Sequence, residues 1–307
     1  MGSRYDGETA MEMAIVTEDL TKTYADVLAL DRLNLRVPQG EIFGFLGPNG
    51  AGKTTTIRLL LDLIRPSAGR ASVLGFDCQQ QSLEARSRIG YLPGDLRLYP
   101  GLHGHDMLDL VAHLRATPVD RRYVQRLVDR LELDLRPRIA TYSKGTRQKL
   151  GVVLALLARP PVLLLDEPTS GLDPLMQHAV WDILREEAER GTTVFFSTHV
   201  LSEAALICQR VGILGAGRLI AVEPIAQLQR RALRRLVVTF AGTAPELGAL
   251  PGVRLVARAE HQLTLETPDD IDPLVKRLAG FHVCDLRTEQ PDLDDILLGY
   301  YPESRTP

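Results

Sequence analysis

The segment Glu41–Thr54, EIFGFLGPNGAGKT, constrains this chain more than any other. An apolar run, Glu41 to Leu46, reads as a strand, and helical periodicity follows from about Gly52 to Ile64, stopped by Pro66. Between them, residues 47–54 match G-x-x-x-x-G-K-[ST], the loop whose backbone N–H groups turn inward around phosphate oxygens. Gly47, Pro48, Asn49, Gly50, Ala51 and Gly52 form the loop, Lys53 supplies a point charge, and Thr54 and Thr55 offer hydroxyls where a helix begins. Thr54 is the hydroxyl placed to meet Mg²⁺ beside the phosphates. A tight turn alone does not explain Lys53. The chain holds only five lysines (Lys22, Lys53, Lys144, Lys149 and Lys276), its basic charge being carried by Arg.

A second element completes the first. Residues 162–168 read VLLLDEP, an apolar strand ending in two carboxylates, which places Asp166 and Glu167 at the C-terminal edge of a sheet, where ligands sit in such folds. Asp166 is the candidate Mg²⁺ ligand, and Glu167 the candidate general base for the attacking water. The rest of the chain excludes other classes. A net charge of −3 argues against a protein held to nucleic acid by a basic field. The longest apolar stretch, Val152 to Ala158, stops at Arg159 and two prolines, short of the roughly 20 residues a spanning helix needs. Cys78, Cys208 and Cys284 are odd in number and far apart, so packing rather than a disulfide framework is expected of them. His103, His105 and His113 lie at irregular offsets that make a shared metal site improbable.

Strands alternate with helices up to about residue 224. Strands are expected at 70–74, 88–92, 162–165, 193–197 and 210–214, and helices within 103–135 and over 144–158, 175–190 and 200–207. That order predicts a parallel, helix-covered sheet. The character then changes. A polar connecting helix is expected at 227–235, then strand 236–240, helix 244–249, strands 253–258 and 262–266, helix 269–279 and strand 282–288, which is a βαββαβ, ferredoxin-like order. The division is therefore 1–12 as a disordered leader or vector-derived tail, 13–224 as the catalytic domain, and 225–307 as a small α+β accessory domain.

With these residues in view, the segment from about Ile15 to Val222 resembles the ATP-binding cassette of ABC transporters. The motifs stand in the family's order: the loop at 47–54, YSKGTRQK at 142–149, the carboxylates at 166–167, SGLD at 170–173 and FFSTH ending in His199. The resemblance implies a P-loop NTPase fold with a RecA-like parallel core, an antiparallel β subdomain and a helical subdomain. It implies ATP and Mg²⁺ as cofactors, His199 as the residue holding the γ-phosphate, and Tyr24 as the aromatic stacked on adenine. It also implies that Ser143, Lys144 and Gly145 form the signature loop, which contacts ATP bound to an opposite subunit, with Asp173 in the D-loop. Tyr142, Lys144 and Thr146 depart from the usual LSGGQ.

One expected part is missing. The family's Gln after the strand 88–92 is replaced by Gly94 and Asp95, and Asp95 is the candidate substitute toward Mg²⁺. The SKG signature, the GYLP segment at 90–93 and the tail PDLDDILLGYY at 291–301 resemble the drug-resistance, daunorubicin-export branch with separate ABC-2 membrane partners. By that resemblance the chain is the ATPase motor of an exporter for drug, antibiotic or lipid-like cargo. It would work as a homodimer or paired with a paralogue, bound beneath a permease at the cytoplasmic face of a bacterial membrane, with 91–102 as the docking surface. Arg230, Arg231, Arg234 and Arg235 could meet anionic headgroups. Two rival readings are a soluble ABC ATPase acting on ribosomes or DNA, and a nucleotide-regulated module with weak turnover. The single motif set, without a long heptad run or Cys pairs, speaks against the first. The presence of Lys53, Asp166, Glu167 and His199 speaks against the second.

Overall fold

The computed structural model describes residues 12–115, 118–231, 234–248, 250–267, 271–289 and 293–301. The chain forms two compact units, residues 1–223 and 224–307.

The first unit opens with two twelve-residue strands, β1 (Met13–Tyr24) and β2 (Val27–Pro38), paired antiparallel, followed by β3 (Ile42–Leu46). The helix α1 (Lys53–Leu60) ends four residues before the expected Ile64, as Asp62 turns the chain with a φ of 52°. Then come β4 (Ala68–Val73), β5 (Phe76–Asp77), α2 (Ser82–Ser87), β6 (Ile89–Leu92), α3 (Gly104–Leu114), α4 (Arg121–Arg130) and α5 (Lys144–Leu156). The unit closes with β7 (Val162–Asp166), α6 (Pro174–Glu189), β8 (Thr193–Thr198), α7 (Leu201–Ile207), β9 (Arg210–Gly215) and β10 (Arg218–Pro224).

Two sheets result. β2-β1-β4-β5 is the antiparallel sheet, and β10-β9-β3-β8-β7-β6 is the central one, parallel from β9 to β6. Every residue of β3, β7 and β8 is buried, as helix cover on both faces requires. Phe195 stacks on Phe43 at 5.8 Å, while its neighbour Phe196 meets Trp181 of α6 at 5.3 Å. Adjacent residues of β8 thus fill two separate layers. Register decides where the site lies: Leu46 pairs with Thr198, Asp166 with Ser197, and Leu92 with Leu165. The residues following β3, β6, β7 and β8 therefore emerge at one sheet edge.

The second unit contains α8 (Ile225–Arg231), β11 (Arg234–Phe240), β12 (Arg254–Arg258), β13 (Gln262–Thr267), α9 (Asp272–Leu278), β14 (Val283–Glu289) and α10 (Leu293–Tyr300). Its strands are ordered β12-β13-β11-β14 with every recorded pairing antiparallel, over a core of Leu236, Val238, Phe240, Leu263, Leu265, Leu274 and Leu278. Two expectations are corrected here. The connecting helix stops at Arg231, and Arg234 and Arg235 belong to a strand, with Arg235 facing Glu266 at 3.2 Å. The expected helix 244–249 is irregular over its described residues. Gly248 sits at a φ of 70°, and Pro245 and Pro251 crowd a segment too short to nucleate a helix. Its backbone is satisfied by neighbours instead: Ala244 N–H donates to Glu260 O at 2.7 Å, Arg258 to Ala244 O at 2.6 Å, and Arg277 to Leu247 O at 3.0 Å. Residues 1–11 and the side chains of Arg230, Arg231 and Arg234 lie outside the described residues.

Candidate nucleotide-binding and hydrolysis site

At the shared sheet edge lies a cleft of about 380 Å³ lined by Asn49–Thr55 with Ala29, Arg58, Gly94, Asp95, Asp166 and Glu167. The phosphate loop is sterically tight. A Cβ on Gly47 would lie 2.4 Å from the Leu214 carbonyl oxygen, and Gly52, which caps α1, has a φ of 109°. The first N–H groups of α1 lack partners within the helix, so the cleft is lined by donors at a positive helix end. Lys53 is almost wholly buried, and its Nζ donates to Gly47 O and to Pro48 O, the latter at 3.1 Å. Burial pushes its pKa below the usual lysine range, while Glu167 and Asp166 pull the other way.

The carboxylates are differently held. Asp166 is buried and accepts from Thr54 Oγ1 at 2.7 Å on one oxygen and from Ser197 Oγ on the other. Glu167 occupies the left-handed region, with a φ of 50°, at the turn out of β7. Its N–H donates to Ser197 O at 3.1 Å, and its Oε1 lies 3.2 Å from His199 Nδ1. Thr54 and Asp166 thus present adjacent hard oxygens, a donor set that suits Mg²⁺, which takes one or two protein oxygens and completes its shell with phosphate and water. Among the described residues no three His, Cys, Asp or Glu side chains form a metal cluster of their own.

Other expected residues are placed elsewhere. Asp95 lines the cleft, but one of its oxygens is taken by Arg97 through Nε at 3.0 Å and Nη2 at 2.9 Å. Gly94 abuts Asp166 so closely that a Cβ there would lie 3.1 Å from Oδ2. Tyr24 is exposed at the β1–β2 hairpin, outside the cleft lining, with Lys22 Nζ 4.9 Å from its ring centre. Ser143 caps α5 by accepting from Thr146 N–H at 3.0 Å, and Lys144 Nζ donates to Ser170 Oγ at 3.0 Å. Gly145 lies against Gly171, whose carbonyl a Cβ would meet at 2.9 Å. Asp173 caps α6 by accepting from Met176 N–H at 3.0 Å. None of these four signature and D-loop residues lines the cleft.

Sequence reasoning missed several supporting groups. Arg58 brings a second cation into the lining, and its position four residues after Thr54, on the same helix face, could have revealed it. Ser197, fully buried, joins Asp166 to the Glu167 N–H, and Glu203 joins the ends of two loops by accepting from Thr198 at 2.9 Å and Thr169 at 3.3 Å. Ser197 stands within the FFSTH run, but nothing in the local pattern marks its bond to Asp166 or the role of Glu203.

A phosphate loop, a hydroxyl–carboxylate pair suited to a divalent cation, and a glutamate paired with a histidine at one sheet edge define a nucleoside triphosphate hydrolase. Comparison with known proteins narrows the class. A family model described as ABC transporter matches residues 30–170. The daunorubicin resistance ATP-binding protein DrrA3 of Streptomyces coeruleorubidus is 35% identical over 301 residues, 94% of this chain and 95% of that protein. The Nod factor export ATP-binding protein I of Rhizobium etli is 32% identical over 308 residues, covering 97% and 96%. A solved ATP-binding subunit of an ABC transporter matches with a TM-score of 0.65 at 31% identity, covering 71% of this chain and 92% of that one. The chain belongs to the ATP-binding proteins of ABC transporters and is an ATPase. Among the described residues no helix is long and apolar enough to cross a membrane.

Proposed function

We propose that this chain is the motor subunit of an exporter, closing with a second ATP-binding subunit around two ATP molecules and driving a separate ABC-2 type permease from the cytoplasmic face of a bacterial membrane. The cargo class is drug, antibiotic or lipid-like, by likeness to the daunorubicin resistance and Nod factor export relatives. The carrying observation is the division of the site. The cleft gathers the phosphate loop, Asp166 and Glu167, whereas Ser143, Lys144 and Gly145 stand at the start of α5 outside it, so a complete site calls for the signature loop of a second subunit.

Within the cleft, Lys53 and the first turn of α1 hold the β and γ phosphates. Thr54 and Asp166 would hold Mg²⁺, which would neutralise phosphate charge. Glu167 takes the proton from the water that attacks the γ-phosphorus as the bond to the bridging oxygen breaks. His199 steadies the Glu167 carboxylate and reaches the γ-phosphate. Tyr24 stacks on adenine, and Asp173 shapes the loop facing the second subunit. Closure driven by ATP requires that ATP bind the closed state preferentially. The test is Glu167→Gln: steady-state hydrolysis should disappear and an ATP-dependent dimer should accumulate in size-exclusion chromatography. Full activity in that variant would remove Glu167 from the mechanism, and a monomer in saturating ATP would remove the dimer.

A further inference from the structure

The carboxylate that acts on water hangs from a backbone held in an unfavourable conformation, since Glu167 is neither glycine nor asparagine yet has a φ of 50°. Its N–H is tied to Ser197. Its carbonyl is tied to a side chain from another element: Gln148 Nε2 donates to Glu167 O at 3.0 Å and to Pro168 O at 3.0 Å. Gln148 lies on α5, is buried, and does not line the cleft. Burying an amide is costly unless it is hydrogen-bonded, and here its two N–H donors go to two consecutive carbonyls. Methionine would fill the same space without that cost, so packing alone does not account for glutamine at this position.

We propose that Gln148 is a positioning residue for hydrolysis: it fixes the Glu167 backbone and so aims the carboxylate at the attacking water. The proposal rests on the reading of Glu167 as general base. The helix that carries Gln148 is fastened to the same stretch twice more, by Lys144 to Ser170 and by Gly145 against Gly171. Movement of α5 is therefore carried to Glu167 through one amide group, and the rate of hydrolysis follows the position of α5 while the nucleotide's own contacts do not.

The experiment compares the full chain with Gln148→Met and Gln148→Glu, the second keeping length and polarity but offering only acceptors to the two carbonyls. Phosphate release gives kcat and KM, titration with a fluorescent ATP analogue gives affinity, and thermal unfolding gives Tm. The expected result is a kcat about 10- to 100-fold lower, the scale set by small misplacements of a reacting group, with KM and analogue affinity within about twofold of the parent. A kcat within twofold of the parent would overturn the assignment. So would affinity and Tm falling in step with kcat, or loss of the fold in both variants, since each marks Gln148 as a packing residue. Glu167→Gln is measured alongside. If it hydrolyses ATP at the parent rate, the reading of Glu167 fails. If it is inactive while both Gln148 variants run at the parent rate, only the assignment of Gln148 fails.

Discussion

Ser197→Ala removes one oxygen and tests how Asp166, the carboxylate proposed to hold Mg²⁺, is itself held. Ser197 is fully buried on β8, where its hydroxyl donates to Asp166 Oδ1 and receives the Glu167 N–H at 3.3 Å. The Glu167 N–H keeps a partner in the variant, because it also donates to Ser197 O at 3.1 Å. Asp166 Oδ1 does not recover its donor, as the carboxylate is only 3% exposed and Thr54 reaches the other oxygen. The loss is therefore one hydrogen bond to a buried charged group, about 1.5–3 kcal/mol. The cavity left by a single hydroxyl adds little. For a unit of this size each kcal/mol moves Tm by roughly 2–4 °C, so Ser197→Ala should melt about 3–12 °C lower by differential scanning calorimetry. The freed carboxylate should also raise the Mg²⁺ concentration giving half-maximal ATPase activity, since Asp166 then has a second orientation to lose on binding the ion. A Tm within 1 °C of the parent together with an unchanged Mg²⁺ titration would refute the claim that Ser197 holds Asp166.

Lys53→Ala should lose ATP binding or turnover, read by analogue titration and phosphate release, because the phosphates lose the point charge inside the loop. Gly94→Gln, which restores the residue the family usually carries, should lower kcat rather than raise it: a Cβ there sits 3.1 Å from Asp166 Oδ2, and Asp166, fixed by Thr54 and Ser197, has little room to yield. Asp95→Ala should shift the Mg²⁺ dependence if Asp95 serves the ion, and should leave it alone if pairing with Arg97 is its whole task. In alkylation at pH 8 the folded protein should expose one fast thiol, Cys284, while Cys78 and Cys208 react only on unfolding. Burial pushes the Cys78 thiol up to about 12 and that of Cys208 well above the usual range, so neither forms thiolate at that pH.

The parts of the fold legible in the sequence are those whose signal is local. β3, β7 and β8 are short apolar runs because both faces are covered, and α1 is announced by the glycines before it and by Lys53 at its first position. β5 and β10 went unseen for the opposite reason: β5 is two residues long, and β10 alternates half-buried and exposed positions with no strong apolar side. The segment 244–249 misled because Ala244 and Leu247 have helical spacing and are buried, yet Pro245 and Gly248 decide the backbone. Propensity lost there to hydrogen bonds offered by Arg258, Arg277 and Glu260 from elsewhere in the unit.

The same division runs through the site. Lys53, Thr54, Asp166 and Glu167 could be named in advance because each stands at a fixed offset from a strand end, and parallel register delivers strand ends to one edge. Gln148, Ser197 and Glu203 could not, because their meaning is tertiary. Each is a common polar residue with no chemical mark of its own, and its role exists only once β7, β8 and α5 or α7 have come together. The Glu167 backbone makes the dependence concrete. A glutamate at a φ of 50° persists only where surrounding contacts over-determine it, and those contacts come from residues 30 positions later and 19 earlier in the chain. The motif supplies the carboxylate, and the fold supplies its aim. A sequence that kept Lys53, Thr54, Asp166 and Glu167 but lost Ser197 or Gln148 should therefore still bind ATP while hydrolysing it slowly.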